Sequence, residues 1–307
     1  MIARTRIVLF SGQDLAYSLV RRLASRGDLD LFVVTETTKR DAHYGYRSGA
    51  DACRETQTAF VESARVDEAL ARRIAEFKPR LIVTGYYAHI LPAHVIEAAE
   101  LGGVNVHPGI LPRYRGRFPT AWCILNGEKV YGIALHKLAT TVDSGDVYVQ
   151  RQFPLSPALT GHELYKETME RSQEVVCENL DAILSERIRA VPQSGFGSCY
   201  NFIERRFQIN WDDSAITIHR RIRVHAKPYL PAQTHIFNYI VLINRATIVD
   251  PPPGITAEGG GRIVGFEGVA PIVTCADGCL RLDEYEFAPA LDADGMARHI
   301  CVGARFG

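Results

Sequence analysis

Asn105 and His107 stand two residues apart in the run Val104-Asn105-Val106-His107. The alternation puts an amide and an imidazole on one face of a strand that would need neither for packing alone. Pro108, Gly109, Pro112 and Gly116 follow at once, so the strand stops and a rigid, twice-bent loop begins. Both side chains then face the space beyond the strand end. A carboxylate, Asp143, lies in the turn Thr140-Thr141-Val142-Asp143-Ser144-Gly145-Asp146, between strands expected over residues 131–138 and 147–153. Set beside His107, it completes a group of three: an amide donor, a base active near neutral pH and a carboxylate that orients or charges the imidazole. Such a trio suits acyl transfer through a tetrahedral intermediate, with an oxyanion contact from Asn105 contributing ~3 kcal/mol. Taken singly, each residue has an ordinary explanation, since a His beside a turn is commonly a satisfied polar group and Asp before Ser-Gly is a turn former.

The elements that must hold this trio alternate between strand and helix. Residues 6–10 form a short apolar run, and Leu15, Leu19 and Leu23 then recur at helical spacing. A strand is expected over 29–35, an irregular loop over 37–53, a short element over 58–61 and a helix over 66–77 ended by Pro79. Leu81-Ile82-Val83-Thr84 reads as a strand buried in a parallel sheet. This order predicts an α/β fold with a doubly wound, Rossmann-like N-terminal sheet, whose ligands sit at the carboxyl ends of its strands. Residues 85–91 and 107–116 fall at two such ends. Gly12-Gln13 after the first strand lacks the further glycines of a dinucleotide fingerprint, which rejects a nicotinamide cofactor.

Pro119 suits the first turn of a helix over 118–125. Thr160 is placed to cap a long helix reaching residue 187, with an apolar stripe that packs on the sheet. Pro, Gln, Ser and Gly crowd residues 191–198. The division expected is a catalytic domain over 1–190, a linker over 191–207 and a smaller β-barrel-like domain over 208–307, opening with a helix capped near Ser214 and continuing as short strands at regular spacing.

The chain has 307 residues, and its 35 Lys and Arg balance 35 Asp and Glu, leaving no net field to steer a polyanion such as tRNA. That weighs against a nucleic-acid partner, although a local basic patch stays open. No apolar run at the N-terminus is long enough for a signal peptide or membrane helix, so a cytoplasmic protein with no membrane partner is expected. Seven scattered cysteines suggest neither a disulfide framework nor a metal site.

The string Asn-x-His-Pro-Gly-x-Leu-Pro-x-Tyr-Arg-Gly, followed by Val-Asp-Ser-Gly-Asp, resembles the signature of the folate-dependent formyltransferases. The likeness is dense from about residue 81 to 150. It implies that 10-formyltetrahydrofolate gives its formyl group to an amine, with Asn105, His107 and Asp143 matching the family's catalytic residues. It also implies a pterin pocket lined by Tyr87, His89, Ile90 and Leu91, with Val142, Asp143 and Asp146 as further cofactor contacts. Tyr86 and Tyr87 equally suit a plain cap on the sheet. Among the loop arginines Arg113, Arg115 and Arg117, a planar guanidinium can meet an anionic substrate, and Arg115, Gly116 and Arg117 are the candidate acceptor contacts. The Ile-Asn-Trp, Ile-Arg and Lys-Pro-Tyr segments carry a weaker likeness into the C-terminal half, where Leu230-Pro231-Ala232 replaces the family's common Pro-Gly-Ala.

Gly109 is more similar to the sugar-nucleotide N-formyltransferases than to methionyl-tRNA formyltransferases, which usually have Ser there. The expected acceptor is therefore a nucleotide-linked amino sugar. The alternatives are methionyl-tRNA, another small-metabolite or peptide amine, water (a 10-formyltetrahydrofolate hydrolase) and a non-catalytic folate binder. A homodimer through the C-terminal half is the expected assembly.

Overall fold

The computed structural model describes residues 4–36, 38–203, 207–255 and 259–307; Thr37 of the expected loop and residues 204–206 of the expected linker lie outside them. Two compact units emerge, one of Met1–Pro119, Val130–Pro154 and Tyr165–Asn201, the other of Thr120–Lys129, Leu155–Leu164 and Phe202–Gly307.

The first unit is built on strands β1 (Thr5–Ser11), β2 (Leu29–Thr35), β3 (Ala59–Glu62), β4 (Leu81–Gly85) and β5 (Gly103–His107), the short β6 (Arg115–Gly116), then β7 (Val130–Lys137), β8 (Val147–Pro154) and the short β9 (Cys199–Tyr200). Seven of them form one sheet in the order β3-β2-β1-β4-β5-β7-β8. The first five run parallel, and β7 is antiparallel to both β5 and β8. Strand β1 lies inside the sheet between β2 and β4, and Ile7, Val8, Leu9 and Phe10 are all fully buried, as expected of a parallel strand covered on both faces. β4 is equally apolar, which explains why both were readable from composition alone.

Helices α1 (Gln13–Ala24), α2 (Lys39–Tyr44), α3 (Gly49–Thr56), α4 (Glu68–Phe77), α5 (Ala93–Ile96), α6 (Pro119–Leu125) and α7 (Gly161–Leu184) connect the strands. The irregular loop expected over 37–53 is corrected by α2 and α3. Their starts are specified locally: Thr38 and Asp41 form a reciprocal capping box, and the Ser48 hydroxyl accepts from the amides of Ala50 and Asp51. Each helix is too short for an apolar period to register. Thr160 and Glu163 form a second capping box before α7, which ends at Leu184. The guanidinium of Arg80 donates to the Leu184 carbonyl from Nε and Nη2 at 3.0 and 2.9 Å, satisfying a helix end and placing a cation at its negative pole.

The second unit holds α8 (Ala215–His225), strands β10 (Ala232–Ile236), β11 (Tyr239–Val249), β12 (Ile263–Glu267), β13 (Ala270–Thr274) and β14 (Cys279–Ala288), and α9 (Ala293–His299). The strands make an antiparallel sheet ordered β10-β11-β14-β13-β12. Strand β11 is continuous, with register shifts against β14 near Arg245. Among the described residues the five strands do not close into a barrel. Instead the C-terminal segment hydrogen-bonds Gly307 to His235 beside β10, and Phe306 to Gly261 near β12. Trp211 stacks on Phe306 and donates its indole N–H to Thr234 at 2.9 Å, which seals this core. Among the described residues, no helix is long and apolar enough to cross a membrane.

Candidate active site

β5 ends in the centre of the sheet, with β4 on one side and β7 on the other. Register sets Asn105 opposite Thr84 on β4 and opposite His136 on β7. Three polar side chains therefore share one rung at the strand ends. The Thr84 hydroxyl donates to Asn105 Oδ1 at 2.7 Å, which turns Asn105 Nδ2 towards His136 Nε2 at 3.1 Å and Asp143 Oδ1 at 3.4 Å. A flipped amide would set an oxygen against the carboxylate, so this orientation is chemically fixed.

His107 is 3 % exposed. Its Nε2–H donates to the Tyr114 carbonyl at 2.7 Å, leaving Nδ1 facing Asp143 Oδ2 at 3.4 Å. Burial pulls its pKa below the ordinary histidine range, against the opposing pull of Asp143. His136 lies on the other side, donating from Nδ1 to the Lys137 carbonyl at 2.8 Å and facing Asp143 Oδ1 from Nε2 at 3.4 Å.

Asp143 is thus the hub. It occupies a left-handed conformation, φ 47°, and its Oδ2 accepts the Gly116 amide at 2.8 Å. Burial on its own would raise the carboxyl, but its contacts with His136 and His107 and the Gly116 amide bond together hold it down at about 2. Gly116 itself has φ 90°, and a Cβ there would lie 2.2 Å from the Tyr200 carbonyl oxygen, so only glycine lets β6 pair with β9 and offer its amide to Asp143.

The structure brings Asn105, His107 and Asp143 together, along with Gly116. Tyr87, His89, Ile90 and Leu91 line a separate pocket of ≈ 270 Å³ with Arg65, Val66 and Pro92. Tyr87 donates its hydroxyl to the Ser63 carbonyl, and burial pushes its pKa up to about 12. Val142, 46 % exposed, directly precedes the hub, whereas Asp146 sits 4.0 Å from the Lys137 ammonium. Arg115 is held by Gln193, and the exposed Arg117 lies 5.9 Å over the Phe118 ring. Thr84, His136 and Gln193 escaped the sequence reading. The first two had a signal, since a polar residue in each neighbouring strand meets Asn105 in register; Gln193 had none.

The formyl transferase family model matches residues 5–180, and the model of the formyl transferase C-terminal domain matches residues 203–298. The chain belongs to the formyl transferase family. It is a folate-dependent N-formyltransferase, and the formyl donor is 10-formyltetrahydrofolate. The methionyl-tRNA formyltransferase of Pelobacter propionicus is 28 % identical over 295 residues, covering 92 % of this chain and 89 % of that protein. An N-formyltransferase from Helicobacter canadensis, in complex with folinic acid and dTDP-3-aminofucose, superposes with TM-score 0.72 at 16 % identity over 91 % of this chain and 98 % of that one. HypX from Aquifex aeolicus, in complex with tetrahydrofolic acid, gives TM-score 0.62 at 21 % identity over 92 % of this chain and 44 % of that one. These two structures share the fold.

The donor set of the 270 Å³ pocket suits a folate. Val66, Ile90, Leu91 and Pro92 give apolar walls for a flat heteroaromatic ring, while His89 and the local backbone offer polar groups to its edge.

Proposed function

We propose that this formyltransferase acts on the amino group of a nucleotide-linked amino sugar, using Asn105, His107 and Asp143 as its catalytic residues. The observation that carries the catalytic part is the meeting of these three side chains around one carboxylate. When bound, 10-formyltetrahydrofolate supplies a formyl carbon open to attack by an uncharged amine. Asn105 Nδ2 gives up its longer contact, 3.4 Å to Asp143, and donates to the formyl oxygen as negative charge gathers there, contributing ~3 kcal/mol. The Asp143 carboxylate, ionised above about pH 2, faces the developing positive charge on the amine. The amine proton leaves through Asp143 Oδ2 towards His107 Nδ1, and the same proton would return to the donor nitrogen as its bond to the formyl carbon breaks. Burial keeps that imidazole neutral, and because Nε2–H is committed to Tyr114, its lone pair is on Nδ1 and faces the carboxylate. His107 thus acts through Asp143, with both ring nitrogens turned to protein oxygens.

Charge supports the acceptor assignment. Between residues 202 and 307 the chain carries 11 Lys and Arg against 12 Asp and Glu, so this stretch adds no cationic excess for a tRNA phosphate backbone. The Helicobacter canadensis relative, bound to a dTDP-linked amino sugar, has nearly the same extent as this chain. The methionyl-tRNA reading draws on the Pelobacter propionicus relative, similar over 92 % of the chain. A screen of dTDP-, UDP- and GDP-linked 4-amino sugars and charged initiator tRNA, with 10-formyltetrahydrofolate as donor, decides between them. Turnover of a nucleotide sugar alone supports the proposal. Turnover of tRNA alone overturns the acceptor, and formate release without any amine overturns transfer itself.

A further inference from the structure

Gln193 lies in the Pro-, Ser- and Gly-rich stretch after α7, yet its side-chain amide is bonded at both ends. Its Nε2 donates to the carbonyls of Asp143 and Gly145, both at 2.8 Å. Its Oε1 accepts from Arg115 Nε at 3.1 Å and from Arg115 Nη2 at 2.5 Å. The backbone around it is tied to the same two loops: Val191 exchanges both amide bonds with Val147, the Ser198 hydroxyl accepts the Tyr114 amide at 2.9 Å, and the Ser198 carbonyl accepts the Arg115 amide at 2.9 Å.

We propose that Gln193 is a positioning residue that clamps the turn carrying Asp143 to the guanidinium of Arg115, setting the carboxylate and the acceptor-side cation in one register. This rests on the assignment of Asp143 and Arg115 to the site described above.

The physics is local. Asp143 is held at φ 47°, a left-handed conformation that costs a non-glycine residue energy and persists only where the surroundings fix it. Two N–H donors on the carbonyls of Asp143 and Gly145 supply that fixation. Released, the turn relaxes, and the carboxylate leaves the Gly116 amide and the imidazoles of His107 and His136, which are the titratable groups that face it. On the other side, Gln193 occupies two of the five N–H donors of Arg115 and so aims the rest of the fork, which suits the diphosphate of a nucleotide-linked acceptor.

The test uses the full-length enzyme and whichever amine it formylates, with Gln193→Ala, Gln193→Glu and Asn105→Ala compared in kcat, acceptor KM and pH profile. Gln193→Ala frees both sides: kcat falls ~10-fold and acceptor KM rises ~5-fold or more. Gln193→Glu keeps an acceptor for Arg115 but loses both donors to the turn, so kcat falls while KM stays within about 2-fold. In both variants an acid limb enters the profile between about pH 4 and 6, because burial raises a carboxyl stripped of its donors. Wild-type kcat, KM and profile in Gln193→Ala, with Asn105→Ala inactive, overturn the clamp alone. A lowered melting temperature with an unchanged profile and an unchanged ratio of kcat to KM reduces Gln193 to a structural role and also overturns it. Full activity in Asn105→Ala overturns the site assignment, and the clamp with it.

Discussion

His107 donates its Nε2–H to the carbonyl oxygen of Tyr114 at 2.7 Å, and this one bond decides which nitrogen can exchange a proton. Tyr114 is itself 3 % exposed and belongs to the loop that Pro112 and Gly116 bend back over the strand end. The neutral ring therefore presents Nδ1 to Asp143, and loop, imidazole and carboxylate form one buried chain.

Acid should weaken this chain in two stages. The His107 pKa lies below its unfolded value, so the unfolded state gains a proton first and stability falls as pH drops below about 6.5. The Asp143 carboxyl lies at about 2 against about 3.9 unfolded, so its contribution, ~2 kcal/mol, is present above about pH 4 and is lost as pH falls towards 2. Thermal melts of wild type and Asp143→Asn between pH 7 and 2.5 check this. The variant should lack the second loss, and parallel curves would contradict it.

Thr84, buried in β4, hydrogen-bonds the Asn105 amide. Thr84→Val keeps the shape of a buried β4 residue and removes the hydroxyl that bonds Oδ1 at 2.7 Å. The amide then loses its tightest hydrogen bond and is oriented by the weaker 3.4 Å contact with Asp143. We expect kcat to drop ~10-fold with little change in donor KM, and stability to drop ~1 kcal/mol from the unmatched Oδ1. Steady-state kinetics with a melting curve separate the two effects; an unchanged kcat would mean that the amide is held by other means.

Gly109 lies against the imidazole. A Cβ there would stand 2.6 Å from His107 Nε2 and 2.9 Å from the Tyr114 carbonyl oxygen, the two atoms of the bond that fixes the tautomer. Gly109→Ser should push the ring out of line, lower kcat ~10-fold or more and destabilise by ~1–3 kcal/mol. If the serine variant were fully active, the His107–Tyr114 contact would not be what sets the chemistry.

Much of the fold was legible because burial on both faces leaves a plain record. Residues 6–10 and 81–84 are near-continuous apolar runs, and Thr160 with Glu163 announces α7. The trio was legible through the spacing of Asn105 and His107 and the turn around Asp143. What escaped has a physical reason in each case. His136 sits in the strand expected over 131–138 with no role assigned to it, and its role arises from cross-strand register, which fixes pairing between chain segments 31 residues apart. Gln193 lies where composition points to a linker, while its four hydrogen bonds reach residues 48 to 78 positions away. α2 and α3 were hidden by their shortness, although the Thr38-x-x-Asp41 box was present in the chain.

The central claim is that formyl transfer takes place at Asn105, His107 and Asp143. Its most direct test is a single-turnover measurement of formyl transfer by Asn105→Ala, with tetrahydrofolate affinity measured on the same protein by calorimetry. The expected result is a rate reduced by ~10²–10³-fold at an affinity within about 2-fold of wild type. Transfer at the wild-type rate by the variant would contradict the assignment.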